Sequence, residues 1–287
     1  MQRNSLLIRA LCTTIVIVIL MFLIGRDNVQ FMLVPKYLLF LMVTLAAIIV
    51  LGRKKVSSLF RIISLGITFI IFGILIGIHP SPLCALTKPL ARYQIIGFIP
   101  PPMIVMVGAM VVFSIIGNKI FCGWICPLGC LQEIVYKISK GLKKIKLSFF
   151  ISNSVRFSLF ALFIIYILTF GINIYDLFNP FELFHWHLDA YILIIIAFVI
   201  GASLIYFRPF CHFLCPAGLL TWISEQTSLF KIHIDRDQCT HCKKCIKESP
   251  CSAIEPILNK QSIVPDCYAC GTCIESCPED AITFSLK

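Results

Sequence analysis

Acidic side chains are scarce over most of this chain. Residues 1–230 hold six Asp or Glu against eighteen Lys or Arg, and charged residues of both signs make up only 14% of the 287. With 59% apolar residues and a mean hydropathy of +0.92, that shortage excludes an ordinary soluble domain. No Cys-x-x-Cys-His stretch occurs, so covalent c-type haem is excluded. His185 and His187 are only two apart, a poor pair for non-covalent haem. No small-residue cleavage site follows the first apolar run, Leu6 to Gly25, which reads as a retained helix and not a removed leader. No apolar run carries an acidic residue or a broken-helix signature near its centre, which argues against a transporter.

What is present is a series of apolar runs at about 6–25, 37–52, 59–78, 103–121, 157–174 and 190–207. Each approaches the ~20 residues that cross a hydrocarbon core. With the N-terminus inside, fourteen Lys or Arg fall on the inner side and four on the outer, so both termini are expected in the cytoplasm of a multi-pass cell-membrane protein. The fourteen include Arg61, Lys119, Arg156 and Arg208. The basic excess sits in short loops between apolar runs, which fits anionic lipid and not nucleic acid. From Leu128 to Ile145 apolar residues recur at helical spacing opposite Lys137, Lys140, Lys143, Lys144 and Lys146. This predicts a basic amphipathic helix on the inner surface, a lipid anchor or a platform for an acidic partner. The chain divides into an N-terminal hairpin (1–56), a four-helix membrane part (57–230) built of two repeats (57–150 and 151–230), and a cysteine-rich tail (231–287).

Twelve of the fifteen cysteines lie in tight clusters. In the tail, Cys239, Cys242 and Cys245 are followed by Cys251, and Cys267, Cys270 and Cys273 by Cys277-Pro278. The second run matches the bacterial two-cluster pattern, in which the fourth cysteine of each run ligates the other cluster. The expected sets are Cys239, Cys242, Cys245 and Cys277 for one [4Fe–4S] cluster, and Cys267, Cys270, Cys273 and Cys251 for the other. The first run departs from the pattern, with five residues between Cys245 and Cys251. Zinc is the alternative, but its sites usually come as two Cys-x-x-Cys pairs. The fold class that follows is a polytopic α-helical membrane protein with a C-terminal α+β ferredoxin domain holding two [4Fe–4S] clusters.

Two further stretches, Phe121-Cys-Gly-Trp-Ile-Cys-Pro-Leu-Gly129 and Phe210-Cys-His-Phe-Leu-Cys-Pro-Ala-Gly218, end apolar runs in the same way. On a helix Cys122 and Cys126 share a face, as do Cys211 and Cys215. Three readings stand for these four thiols: an additional iron–sulfur or other metal site, redox-active thiols, or buried packing. A disulfide is disfavoured in a reducing compartment. Cys12, Cys84 and Cys130 read as packing residues.

With the repeated Cys-x3-Cys-Pro motifs and the eight tail cysteines, residues 59–287 resemble the NapH/MauN-type ferredoxin membrane proteins. These are related to the membrane part of the NosR regulators and to copper-reductase assembly factors. The resemblance implies an electron-transfer subunit, often a quinol dehydrogenase component, passing electrons between the quinone pool or a cytoplasmic donor and a partner redox protein. The alternative is a maturation or regulatory factor that reduces a metal ion or thiols on another protein. On the outer side, Asp176, Glu182, His185 and His187 are candidates to take protons from a quinol, and His79, Lys88 and Arg92 to steer its head group. An interfacial aromatic belt with solvated polar residues explains the same loops without quinone.

Overall fold

The computed structural model describes residues 29–54, 56–77, 80–139, 141–186 and 189–286. Contacts divide the chain into two compact units, 1–43 and 44–287. Helix α1 (Val29–Gly52) runs through the division and holds Pro35 in its interior. Within the first unit Tyr37 and Phe40 meet edge to face at 5.6 Å.

In the second unit, the Ser57 side chain accepts the Phe60 N–H and so starts α2 (Ser58–Thr68), which continues as a π-helical stretch to Leu75. Helices α3 (Pro82–Ile96), α4 (Pro101–Gly117), α5 (Pro127–Ile138), α6 (Phe149–Phe170), α7 (Ala190–Ser203), α8 (Pro209–Phe213) and α9 (Pro216–Glu225) follow. Proline opens five of them, where its missing N–H goes unneeded. Gly97 and Gly171 stop α3 and α6 at φ +70° and +68°, the left-handed conformation that ends helices cleanly.

The described residues are mostly helical, and among them three helices are long and apolar enough to cross a membrane: Pro35–Gly52, Ser58–Leu75 and Phe149–Phe170. Pro101–Gly117 and Ala190–Ser203 are apolar but shorter. The expected run at 103–121 is cut where Asn118 takes a positive φ, and the run at 190–207 ends as a helix at Ser203, after which Tyr206 bridges to Ile145. Phe150, Phe157 and Phe170 on α6, and Ile194 and Phe198 on α7, are exposed, as side chains facing lipid would be. The expected run at 6–25 lies outside the described residues.

The basic amphipathic helix is shorter than its periodicity suggested. α5 ends at Ile138, and an extended segment follows from which Ile145 bridges to Tyr206. Lys144 turns back to cap carbonyls at two helix ends, Tyr136 and Leu204, each at 2.8 Å. Lys146 donates to Ile246 and Lys247 of the tail. Those two charges are spent on backbone carbonyls and not on a lipid-facing stripe.

In the tail, β1 (Phe230–Ile234) pairs antiparallel with β2 (Ile282–Leu286), Phe230 opposite Leu286 and Ile234 opposite Ile282. Ile232, Ile282 and Phe284 point inward. Between the strands lie three short helices, α10 (Lys244–Glu248), α11 (Ile254–Leu258) and α12 (Thr272–Glu275). The strand pair closes the tail on itself and brings residues near 239 beside residues near 277.

Candidate metal centres

Three left-handed residues without glycine's freedom, and one glycine, shape the tail. His241 and Lys243 have φ +53° and +58°, and Ala269 and Gly271 have +48° and +79°. In each Cys-x-x-Cys-x-x-Cys run these are the residue before and the residue after the middle cysteine. The backbone therefore curls the same way twice, and successive cysteines turn around a common centre. Gly271 is also hemmed in: an added Cβ would lie 2.9 Å from Val56.

Cys239, Cys242, Cys245 and Cys277 line one cavity together with Ile234, Leu258 and Pro278. Cys242 is exposed, and the other three are half-buried. Cys267, Cys270 and Cys273 are buried. Burial first, and then the nearby thiol of Cys251, push the Cys267 thiol well above its ordinary value. Cys251 is itself raised to about 12 by burial and by Cys270. Thiols so placed are costly to ionise alone and are suited to give up their protons to a bound metal. Among the described residues no three His, Cys, Asp or Glu side chains stand close enough to share a single metal ion, and none of the described cysteines is in a disulfide. Thiolates around an iron–sulfur cube stand farther apart than the four around one zinc.

The tail is bound directly to the two Cys-x3-Cys-Pro motifs. Both motifs are wound more widely than the α-helical face expected of them. Cys126 donates its N–H to Phe121 and Cys215 to Phe210, five residues back in each case, and each cysteine then caps the next helix in an extended conformation. Cys126 lies within electrostatic reach of Cys211 and Cys122, and Cys215 within reach of the same two. Lys119 donates its backbone N–H to Cys267 O, and Trp124 its indole N–H to Ala269 O at 2.9 Å. Cys267 in turn donates to the Glu225 carboxyl at 3.3 Å. Tyr268 is buried with its ring stacked on His212, the centroids 5.5 Å apart.

Four buried cations hold this junction, and none was recognised from sequence. Arg61 and Arg208 share Glu133, and Lys119 and Arg156 share Asp266. Each cation also reaches a carbonyl of a cysteine motif. Arg208 donates to Cys122 and Gly123, Arg61 to Gly123, Arg156 to Cys211 and Lys119 to Gly218. Glycine makes the room: a Cβ on Gly129 would meet Cys122 O and Arg208, and one on Gly218 would meet Cys211 O and Arg156. Arg61, Lys119, Arg156 and Arg208 thus sit inside the protein and not in loops at the lipid surface. Burial opposes the charge of Glu133, yet Arg61 and Arg208 hold its carboxyl down to about 2. The available signal was a lone cation three residues before each Phe-Cys motif's first cysteine, at Lys119 and Arg208.

Of the expected outer-face residues, Lys88 and Asp176 approach to 4.0 Å, and Glu182 accepts from Asn179 and meets His185. Arg92 is exposed, and His79 and His187 lie outside the described residues. The 3₁₀ turns Ile174–Phe178 and Pro180–His185 point some side chains inward and leave Leu177 and the following Trp186 exposed. Tyr175, Phe181 and Phe184 are buried, and Phe181 meets Phe210 at 6.4 Å.

A family profile described as "4Fe-4S binding domain" matches this chain twice, at residues 99–146 and 188–234. Those segments carry the Cys-x3-Cys-Pro motifs and not the tail. The putative electron transport protein YccM of Escherichia coli K12 is 29% identical over 62% of this chain, and the match spans 54% of that relative. The ferredoxin-type protein NapH of Haemophilus influenzae is 26% identical over 65% of this chain and 70% of its own length. The methylamine utilization ferredoxin-type protein MauN of Methylobacillus flagellatus is 24% identical over 50% of this chain and 54% of its own. The chain is similar to the NapH/MauN-type ferredoxin proteins, and the first of these relatives is spanned over only about half of its length. The printed names of these relatives describe ferredoxin-type and electron transport proteins, and this chain has helices long and apolar enough to cross a membrane. No solved structure matches this chain.

Proposed function

We propose that this protein is a membrane-bound electron carrier, with two [4Fe–4S] clusters in its tail, passing electrons between the quinone pool or a cytoplasmic donor and a partner redox protein. Cys239, Cys242, Cys245 and Cys277 hold one cluster, and Cys267, Cys270, Cys273 and Cys251 the other. The observation that carries this reading is the repeated left-handed pair around the middle cysteine of each run. Two loops of different sequence adopt one curl, as two sites for the same kind of cofactor would. The first cluster faces outward at a cavity open beside Cys242, where a soluble partner can approach. The second faces the helices and serves the membrane side.

The membrane part in this reading has six spans with both termini cytoplasmic, and the residues about Asp176, Glu182 and His185 lie on the quinol side. The experiment is anaerobic reconstitution of the full chain in vesicles with a reduced quinone, followed by electron paramagnetic resonance. Quinol-dependent reduction of the clusters is expected. Reduction of added metal ions or protein thiols with no response to quinone would replace this reading with that of a maturation factor.

A further inference from the structure

The two Cys-x3-Cys-Pro motifs are left over when the tail clusters have their ligands, and their surroundings are unusual for packing residues. Four fixed cations, Arg61, Lys119, Arg156 and Arg208, bond carbonyls of these motifs from inside the protein. The buried carboxyls beside them are Glu133, Asp266 and Glu225. Even with all three ionised, positive charge is in excess by one, and with Glu225 protonated, by two. A buried excess of cations is expensive without an anion to meet it.

The hydrogen bonding is incomplete in the same place. Among the described residues, Arg61 Nη1, Arg156 Nε, Arg208 Nε and His212 Nε2 are buried with no partner. These are four of the nine such atoms, and all four belong to side chains that are part of these motifs or bond them. Tyr206 meets the other ring nitrogen of His212 at 3.1 Å. Native proteins seldom leave so many buried donors idle in one place. The missing acceptor is anionic and lies among four thiols, of which Cys122 and Cys211 are within electrostatic reach of each other and of both Cys126 and Cys215.

We infer that Cys122, Cys126, Cys211 and Cys215 together ligate a third iron–sulfur centre. Its four thiolates supply the negative charge that the cation shell lacks. The "4Fe-4S binding domain" profile falls on the segments carrying these four residues without assigning ligands or number. His212, between two of the ligands, stacks on Tyr268, which lies between two ligands of the inner tail cluster. An electron crossing that stack oxidises one centre by one electron and reduces the other by one, with no bond made or broken. The inference deepens the electron-carrier reading and rests on it.

The test is anaerobic purification of the full chain, with iron, acid-labile sulfide and zinc counted in wild type, Cys126→Ala, Cys215→Ala and Cys270→Ala. Cys126→Ala and Cys215→Ala are each expected to remove about two to four irons per chain with matching sulfide, the range set by a two-iron or four-iron centre. The resonance of the tail clusters should persist in both, which also shows that they fold. Unchanged iron in both variants overturns the third centre, as does loss of zinc without loss of sulfide. If Cys270→Ala alone lowers iron, the third centre fails and the carrier reading stands. Iron absent from wild type overturns both. A second measurement uses Arg208→Gln, expected to shift a resonance that Cys126→Ala abolishes. A shift confined to the tail signals counts against the assignment.

Discussion

The two cysteine runs of the tail curl alike but sit in opposite surroundings. The first is open: Cys242 is exposed and Cys239, Cys245 and Cys277 are half-covered. The second is shut in: Cys267, Cys270 and Cys273 are 8%, 6% and 8% exposed and abut the membrane helices. Equal backbone curl with unequal exposure gives one module two faces, which the proposed reading assigns to a partner and to the interior. Exposure and hydrogen bonding are among the settings of a cluster's potential, so the same protein fold can present two different carriers.

The contrast is broken most severely at the buried charges. Asp266→Ala leaves Lys119 and Arg156 without their shared carboxylate, and about 3–5 kcal/mol of stability should be lost, read from chemical denaturation of the anaerobic protein. Asp235→Ala, on the exposed side of the tail, should change stability by less than about 0.5 kcal/mol in the same assay. Next is Gly271→Ala. It forces a side chain into a left-handed residue against Val56, and about 2 kcal/mol of destabilisation is expected. A smaller effect is kinetic. Under limited oxygen or a membrane-impermeant iron chelator, the cluster at Cys242 should bleach before the one at Cys270, followed by resonance with time. Equal rates would show that the two environments do not differ in access. Least of all, Lys146→Ala should barely move stability, since its bonds to Ile246 and Lys247 are exposed. Its effect should appear as faster hydrogen exchange in Lys244–Glu248, and absence of any change would show that this strap is idle.

The chemistry was more legible than the docking. Cysteine spacing announces cluster loops because a cofactor demands ligands at fixed intervals, and the cavity of Cys239, Cys242, Cys245 and Cys277 joins residues that the spacing had already grouped. The doubled Phe-Cys-x3-Cys-Pro motif was visible for the same reason. Helix limits were less so. The apolar stretches ran past Gly117 and Ser203 without a break in hydropathy; the positive φ of Asn118 ends the first, and the second gives way to a segment that bridges Tyr206 to the distant Ile145. Arg61, Lys119, Arg156 and Arg208 read from the sequence as topology signals, because a cation's burial depends on which distant carboxylate meets it. Glu133 lies 72 residues from Arg61, and Asp266 lies 147 from Lys119. Lys144 and Lys146 misled in the same way, their helical spacing overridden by long-range bonds to carbonyls.

Gly123 has one last consequence. Any side chain there would collide with the carbonyl oxygen of Tyr268, so the tail's inner loop occupies the slot where a residue of the Cys-x3-Cys-Pro turn would otherwise project. A tail seated like a key in that slot cannot swing out on a tether. Under the proposed electron-carrier reading, its partners would have to travel to it and meet the outer mouth beside Cys242.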